Sequence, residues 1–193
     1  MNLQELKHLI DYAIDDCQLI IQRNPMSVLS EGDFEKILSN CISKRIGYVA
    51  INPIPTEFAV YSQISHYNNE NDLLDARVDL LLMKPALIDS EAIIVNHNKR
   101  FVYKSKESFA IELKYRHDDK KNDVDAAKDD IEKYVKYKDD SYYYAIILMD
   151  KKDNTIKCEE DILDFYEEKK NEYGNDCINK FFCKVLYKEI EKE

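Results

Sequence analysis

The segment Phe109-Ala110-Ile111-Glu112-Leu113-Lys114-Tyr115 constrains the fold more than any other stretch of the chain. It is an apolar run interrupted at alternate positions by a carboxylate and an amine. In an extended strand alternate side chains share a face, so Glu112 and Lys114 point one way while Ile111 and Leu113 enter the core. The earlier run Arg77-Val78-Asp79-Leu80-Leu81-Leu82 reads as a second apolar strand carrying a single acid. If the two strands pair, Asp79, Glu112 and Lys114 converge. Two adjacent carboxylates repel each other and are costly to ionise unless a hard divalent cation lies between them, and Mg²⁺ on oxygen ligands answers that need. A buried salt bridge is the other use of Asp79, because an acid on a core strand needs a partner. Lys114 beside a metal would orient or deprotonate a water, or offset charge on a phosphorane-like transition state.

Around these strands the periodicities alternate between helix and sheet. Leu3, Leu6, Ile10, Ile14, Cys17 and Ile21 lie at helical spacing over 2–23, and Asn24-Pro25 ends that helix. Ser30 is an N-cap candidate with Asp33 at the capping-box position, and Phe34, Ile37, Leu38 and Cys41 form the buried face of a second helix to about Lys44. Residues 57–67 and 75–83 predict a hairpin across the polar turn 68–72. Asp75 shares the face of Asp79 but sits at a strand edge. Ala92 to Val95 and Phe101 to Tyr103 flank Asn96-His97-Asn98-Lys99-Arg100 as a further hairpin, whose basic tip is a solvated turn or a phosphate contact. The charged loop 116–123, opening with Arg116 and His117, precedes a helix over about 124–138, and Tyr142 to Met149 is a continuous strand buried on both faces. The strand, helix and strand from 109 to 149 predict a right-handed parallel unit. Glu159 to Glu172 and Asp176 to Glu193 predict two C-terminal helices, the second marked by Ile178, Phe181, Phe182, Val185, Leu186 and Ile190. They pack on the sheet or form a homodimer face.

The order of elements, with Asp79 on one strand and Glu112-Leu113-Lys114 on the next, resembles the PD-(D/E)XK superfamily of restriction-endonuclease-like phosphodiesterases. Asp79 matches the first acid, Glu112 the second, Lys114 the lysine, and Leu113 the intervening residue whose carbonyl also binds metal. Val78 stands where the superfamily's proline would be, and no glutamine supplies a Gln-x-x-x-Tyr signature in the helix after the strand. The resemblance covers residues 30–150 or so. It implies an α/β (α+β) fold, with a central mixed sheet of about four to five strands flanked by helices. The helices of 1–25 and 158–193 are additions within one domain, 1–193. It also implies a Mg²⁺- or Mn²⁺-dependent nuclease acting on DNA, with Asp79, Glu112 and Leu113 on the metal. In relatives an acid of the first core helix often reaches that site. Glu31 fills this role here with Glu35 as competitor, and first-turn capping is the bland use of either. Lys99, Arg100 and Arg116 are the candidate DNA contacts.

Composition limits the alternatives. In 193 residues, 45% hydrophobic content with three glycines and four prolines argues against disorder and against a turn-rich all-β fold. With so few glycines, and with no G-x-x-x-x-G-K-[ST], G-x-S-x-G or H-E-x-x-H, P-loop, α/β-hydrolase and zincin chemistry lack support. Cys17, Cys41, Cys158, Cys177 and Cys183 form no C-x-x-C pair. All fall in predicted helices, so reduced thiols are expected and a zinc site is not. No apolar run approaches membrane length and no secretory leader precedes the first helix, so a cytoplasmic protein is expected. The net charge of −10 opposes general affinity for DNA. Lysines and arginines nevertheless gather between Lys99 and Lys152, around the proposed site, while acids crowd Glu159 to Glu172. Two further readings therefore stand beside the nuclease. One is a module of the same fold that binds nucleic acid or a protein partner without cleavage. The other is an ordinary α/β domain in which Glu112 and Lys114 form a surface ion pair.

Overall fold

The computed structural model describes residues 1–46, 57–67, 73–95, 98–105, 107–116, 121–135, 142–151, 155–172 and 181–189, in places by backbone alone. Helix α1 (Leu3–Arg23) begins at a reciprocal capping box between Asn2 and Glu5 and buries Leu6, Ile10, Ala13, Ile14, Cys17 and Ile21. Helix α2 (Glu31–Arg45) starts on Ser30, whose hydroxyl accepts from the Asp33 amide. The Asp33 carboxylate in turn accepts from the Ser30 hydroxyl and the Leu29 amide, fixing the entry of the chain into the helix. Phe34, Leu38, Cys41 and Ile42 form its buried stripe.

Strands β1 (Ala59–Tyr67) and β2 (Leu73–Met83) form the expected antiparallel hairpin. A second hairpin, β3 (Ile88–Val95) and β4 (Asn98–Ser105), closes at the Val95↔Asn98 pair. It joins β1 through one parallel partner pair, His66↔Tyr103, and so forms a wing on the sheet edge. Next come β5 (Ser108–Arg116), α3 (Lys121–Val135), β6 (Tyr142–Asp150), α4 (Thr155–Glu172) and β7 (Phe181–Lys188). The main body is a five-stranded mixed sheet in the order β1-β2-β5-β6-β7. Here β2 is antiparallel to β1 and β5, while β5, β6 and β7 run parallel.

Helices cover both faces, giving an α+β sandwich with two cores. Leu80, Leu82, Phe109, Ile111, Leu113, Tyr144, Ile146 and Leu148 pack with α1 and α2. Val78, Leu81, Met83, Ala110, Tyr143, Ala145 and Ile147 pack with residues of α3 and α4. Burial on both sides explains why β6 reads as an unbroken apolar run. It also refines the expectation for β5, whose two faces both lead into core.

The C-terminus departs from expectation. Residues 181–188 form β7, an edge strand parallel to β6, and not a helix. Phe181, Phe182, Val185 and Leu186 imitate a helical stripe because a strand covered on both sides loses its period of two. One side of β7 meets α1, where Gln18 bonds both the amide and the carbonyl of Tyr187. On the other side the Tyr166 hydroxyl of α4 donates to the Phe181 carbonyl. Cys183 therefore lies in a strand, whereas Cys17, Cys41 and Cys158 are helical as expected. None of these four is disulfide-bonded, and Cys177 lies outside the described residues. Among the described residues no helix is long and apolar enough to cross a membrane.

Candidate functional site

The topology brings Asp79 up to the strand that carries Glu112 and Lys114 for a simple reason. Strand β2 is antiparallel to β5, and their ladder runs from Met83↔Ser108 to Leu80↔Ile111. One more step in that register would set Asp79 opposite Glu112. There the ladder ends, and the Asp79 side chain takes its place: Oδ2 accepts from the Leu113 amide at 2.7 Å. Side-chain alternation in β2 also breaks at this point, since Val78 joins Leu81 and Met83 in one core while Leu80 joins the other. Strand β1 is distorted alongside. Gln63, whose neighbours Ser62 and Ile64 pair with Leu80 and Val78, has φ of 54°, in the left-handed region that a side chain adopts at a cost.

That distortion has a chemical result. Gln63 Nε2 donates to Asp79 Oδ1 at 3.0 Å and to Glu35 Oε2 at 3.1 Å, linking α2 to the β2 acid. Glu31, four residues earlier on α2, accepts from the Tyr115 amide of β5 at 3.4 Å. Both helix acids weighed from the sequence thus reach the site by different routes, Glu31 directly to β5 and Glu35 through Gln63. Gln63 itself carries no sequence signal beyond the loss of strict alternation in its strand.

Lys114 lies on the opposite side of this acid set. Its Nζ is 3.3 Å from Glu112 Oε1 and 3.4 Å from Asp130 Oδ2, with Asp130 supplied by α3. Asp130 was not singled out from the sequence, because an acid on a charged helix face looks like solvated surface. Its Oδ2 is buried and makes no hydrogen bond, so the ion pair to Lys114 is its described contact. Glu112 and Asp79 are each 8% exposed and the Lys114 side chain 20%, so the Glu112–Lys114 pair is not an ion pair on open surface.

The electrostatics follow from crowding. Burial is the largest influence on Asp79 and raises its carboxyl above the usual range. The Leu113 amide, Gln63 and Lys114 act against that rise, and Glu31 adds to it. For Lys114 burial is again the largest single influence and works to lower its pKa. The combined fields of Glu112, Asp130, Glu31 and Asp79 outweigh it and hold the amine above its ordinary value. One amine therefore lies in the field of four carboxylates, two of them paired with it. Those oxygen donors, two of them on buried acids and with no thiol or imidazole in the described set, fit a hard cation in chemical kind. Asp79, Glu112 and the Leu113 carbonyl are the groups that could hold it. Among the described residues no three of His, Cys, Asp and Glu form a ready ligand cluster.

The candidate nucleic-acid contacts are less concentrated. Arg116 ends β5 half-buried, and its Nε is buried without a hydrogen-bond partner. Lys99 and Arg100 lie within β4, paired with Ile94 and Ile93, and not in the predicted turn, since that hairpin closes at Val95↔Asn98. Their side chains lie outside the described residues, as do His97 and His117 entirely. No protein-family model and no curated protein matches this chain.

Proposed function

We propose that the protein is a metal-dependent phosphodiesterase of the PD-(D/E)XK type acting on DNA. The observation carrying this reading is that Lys114 pairs with Glu112 and Asp130 while Asp79 and Glu31 bond the flanking Leu113 and Tyr115 amides, at the break in the β2–β5 ladder. Mg²⁺ or Mn²⁺ held by Asp79, Glu112 and the Leu113 carbonyl would supply Lewis-acid polarisation of the scissile phosphate. The chain's own residues would do the rest. Lys114 orients the attacking water and offsets charge developing on the phosphoryl oxygens. Asp130 and Glu112 hold the amine in place. Glu31 sets the negative field at the end of β5, and Arg116 stands at the same strand end to meet backbone phosphate. In a cytoplasmic setting millimolar Mg²⁺ would be the resident cation.

A second reading has its own support. Both carboxylate oxygens of Asp79 accept hydrogen bonds from the protein, and the net charge of −10 disfavours DNA outside the basic segment. A module of this fold that binds nucleic acid or a protein partner without cleaving would show these features. Incubating the protein with plasmid and Mg²⁺ or Mn²⁺, then with excess EDTA, separates the two. Metal-dependent cleavage abolished by Lys114→Ala is the outcome expected. Retention of plasmid in a gel shift with no cleavage in either metal would overturn the enzyme and favour the module.

A further inference from the structure

We propose that Lys188 is a positioning residue that seats Glu31 at the end of β5, an inference that rests on the reading of the Lys114 site given above. Lys188 is 2% exposed, the most deeply buried lysine among the described residues, and the nuclease mechanism makes no use of it. Its Nζ donates to the Val28 carbonyl at 2.5 Å and to the Tyr115 hydroxyl at 2.8 Å. The Tyr115 hydroxyl in turn donates to Asp150 Oδ1 at 2.9 Å. Lys188, Asp150 and Tyr115 stand at or next to the carboxyl ends of the three parallel strands. One side chain therefore ties those strand ends to the segment that enters α2.

That tie reaches the candidate site through two short paths. Val28 lies two residues before the Ser30 cap, and the next residues are locked by the Asp33 bonds to Leu29 and Ser30. An anchor at Val28 is thus passed rigidly into the first turn, where Glu31 begins the helix. Tyr115 is the second path, since its hydroxyl meets Lys188 while its amide donates to Glu31 at 3.4 Å. A hydrogen bond of that length is weak alone. It persists because both ends, the α2 entry and β5, are fastened to the same amine. Burying an amine at the meeting of three strands and a helix cap is costly unless acceptors are fixed in advance, and the Val28 carbonyl and Tyr115 hydroxyl provide them.

The test reads position before it reads activity. Amide exchange is measured by NMR for Tyr115 and, as an internal control, for Leu113, whose amide is held by Asp79. The proteins are wild type, Lys188→Met, Glu31→Ala and the double variant. Exchange at Tyr115 is expected to quicken about tenfold in each single variant and no further in the double, with Leu113 unchanged. Unchanged Tyr115 exchange in Lys188→Met, or equal quickening at Leu113, overturns the proposal. If Lys188→Met does not fold, Tyr115→Phe removes the shared hydroxyl and keeps the amide. The same quickening at residue 115 supports the proposal, and its absence ends it. In plasmid cleavage the two single variants and the double should lose kcat by the same factor, with KM held, whereas losses that multiply mark a merely structural lysine. A wild type that cleaves nothing sinks the nuclease reading, and the exchange measurement still decides the role of Lys188.

Discussion

Two lysines flank the carboxyl end of β5 on opposite sides of the sheet, and their surroundings differ in kind. Lys188, on the α1 and α2 side, is sealed among oxygens that match its donors: a carbonyl and a hydroxyl, with Asp150 one bond further on. Lys114, on the α3 side, is partly open, pairs with Glu112 and Asp130, and lies in the wider fields of Glu31 and Asp79. The first environment occupies two of its amine's three donors and bears on the site only through the residues it holds in place. The second sets one amine in the field of four carboxylates, a surplus of negative charge that the cation of the proposed site would offset. Satisfaction marks structure, and surplus marks chemistry.

The same substitution at both places gives the largest test of that distinction. Lys114→Met should lower the cleavage rate by a factor on the order of 10³. Its unfolding free energy should fall by about 3 kcal/mol, because Glu112 and Asp130 lose an amine whose attraction to them outweighs its own desolvation. Lys188→Met should cost about as much, about 3 kcal/mol, by leaving two buried oxygens without their donor, and should lower the cleavage rate only as far as the displacement of Glu31 does. Urea titrations and initial cleavage rates on the same preparations check both. If Lys188→Met loses as much of the cleavage rate as Lys114→Met, surplus charge is not what separates the two sites.

The pH dependence of stability separates the two sides at its acidic end only. Burial raises the Asp79 carboxyl above its ordinary value of 3.8, so the folded state keeps a proton that the unfolded chain releases. Stability on the Lys114 side therefore falls as pH rises through and above that value, and acidification restores it. On the Lys188 side burial also raises the phenols, with Asp150 adding to Tyr115 and Asp11 to Tyr144, above the ordinary 10.0. The sign is the same but the window is alkaline, and Lys114 shares it because its amine is also held above the ordinary 10.5; stability falls as pH passes 10 and the unfolded chain gives up protons that the folded chain keeps. Unfolding in urea at fixed pH values should show two separate declines. Asp79→Asn should remove the acidic one and Tyr115→Phe should shrink the alkaline one.

How much of this was legible beforehand depends on whether a residue's neighbours lie along its own strand. Asp79, Glu112 and Lys114 stand out because a charge inside an apolar run breaks the pattern, and strand pairing was enough to join them. Glu31 was within reach as a first-turn acid. Asp130 and Lys188 were not, since each sits in a segment where charge looks ordinary and only the third dimension buries it. The reading of 181–188 as helix failed for a related reason. With helices on both sides of β7 its burial pattern has no alternation to detect, and residues placed three and four apart then imitate a helical stripe.

The smallest expected effect falls on the residue that gave the least warning. Gln63 holds a left-handed backbone with a full side chain, at a cost of about 1 kcal/mol that glycine would not incur. Replacing it by glycine removes that strain. It also removes the donor shared by Asp79 and Glu35, one bond of which is solvent-exposed, and loosens the unfolded chain. These contributions oppose each other, so the urea midpoint of Gln63→Gly should stay within about 1 kcal/mol of wild type. Gln63→Ala keeps the strain and loses the bonds, and should be the less stable of the two. A cleavage rate lowered severalfold in both, against that near-neutral stability in glycine, would show that the distortion in β1 serves the acid beside it. Equal rates in all three proteins would assign Gln63 to the sheet edge, and the surplus of charge at Lys114 would then rest on Glu31, Asp79, Glu112 and Asp130 without it.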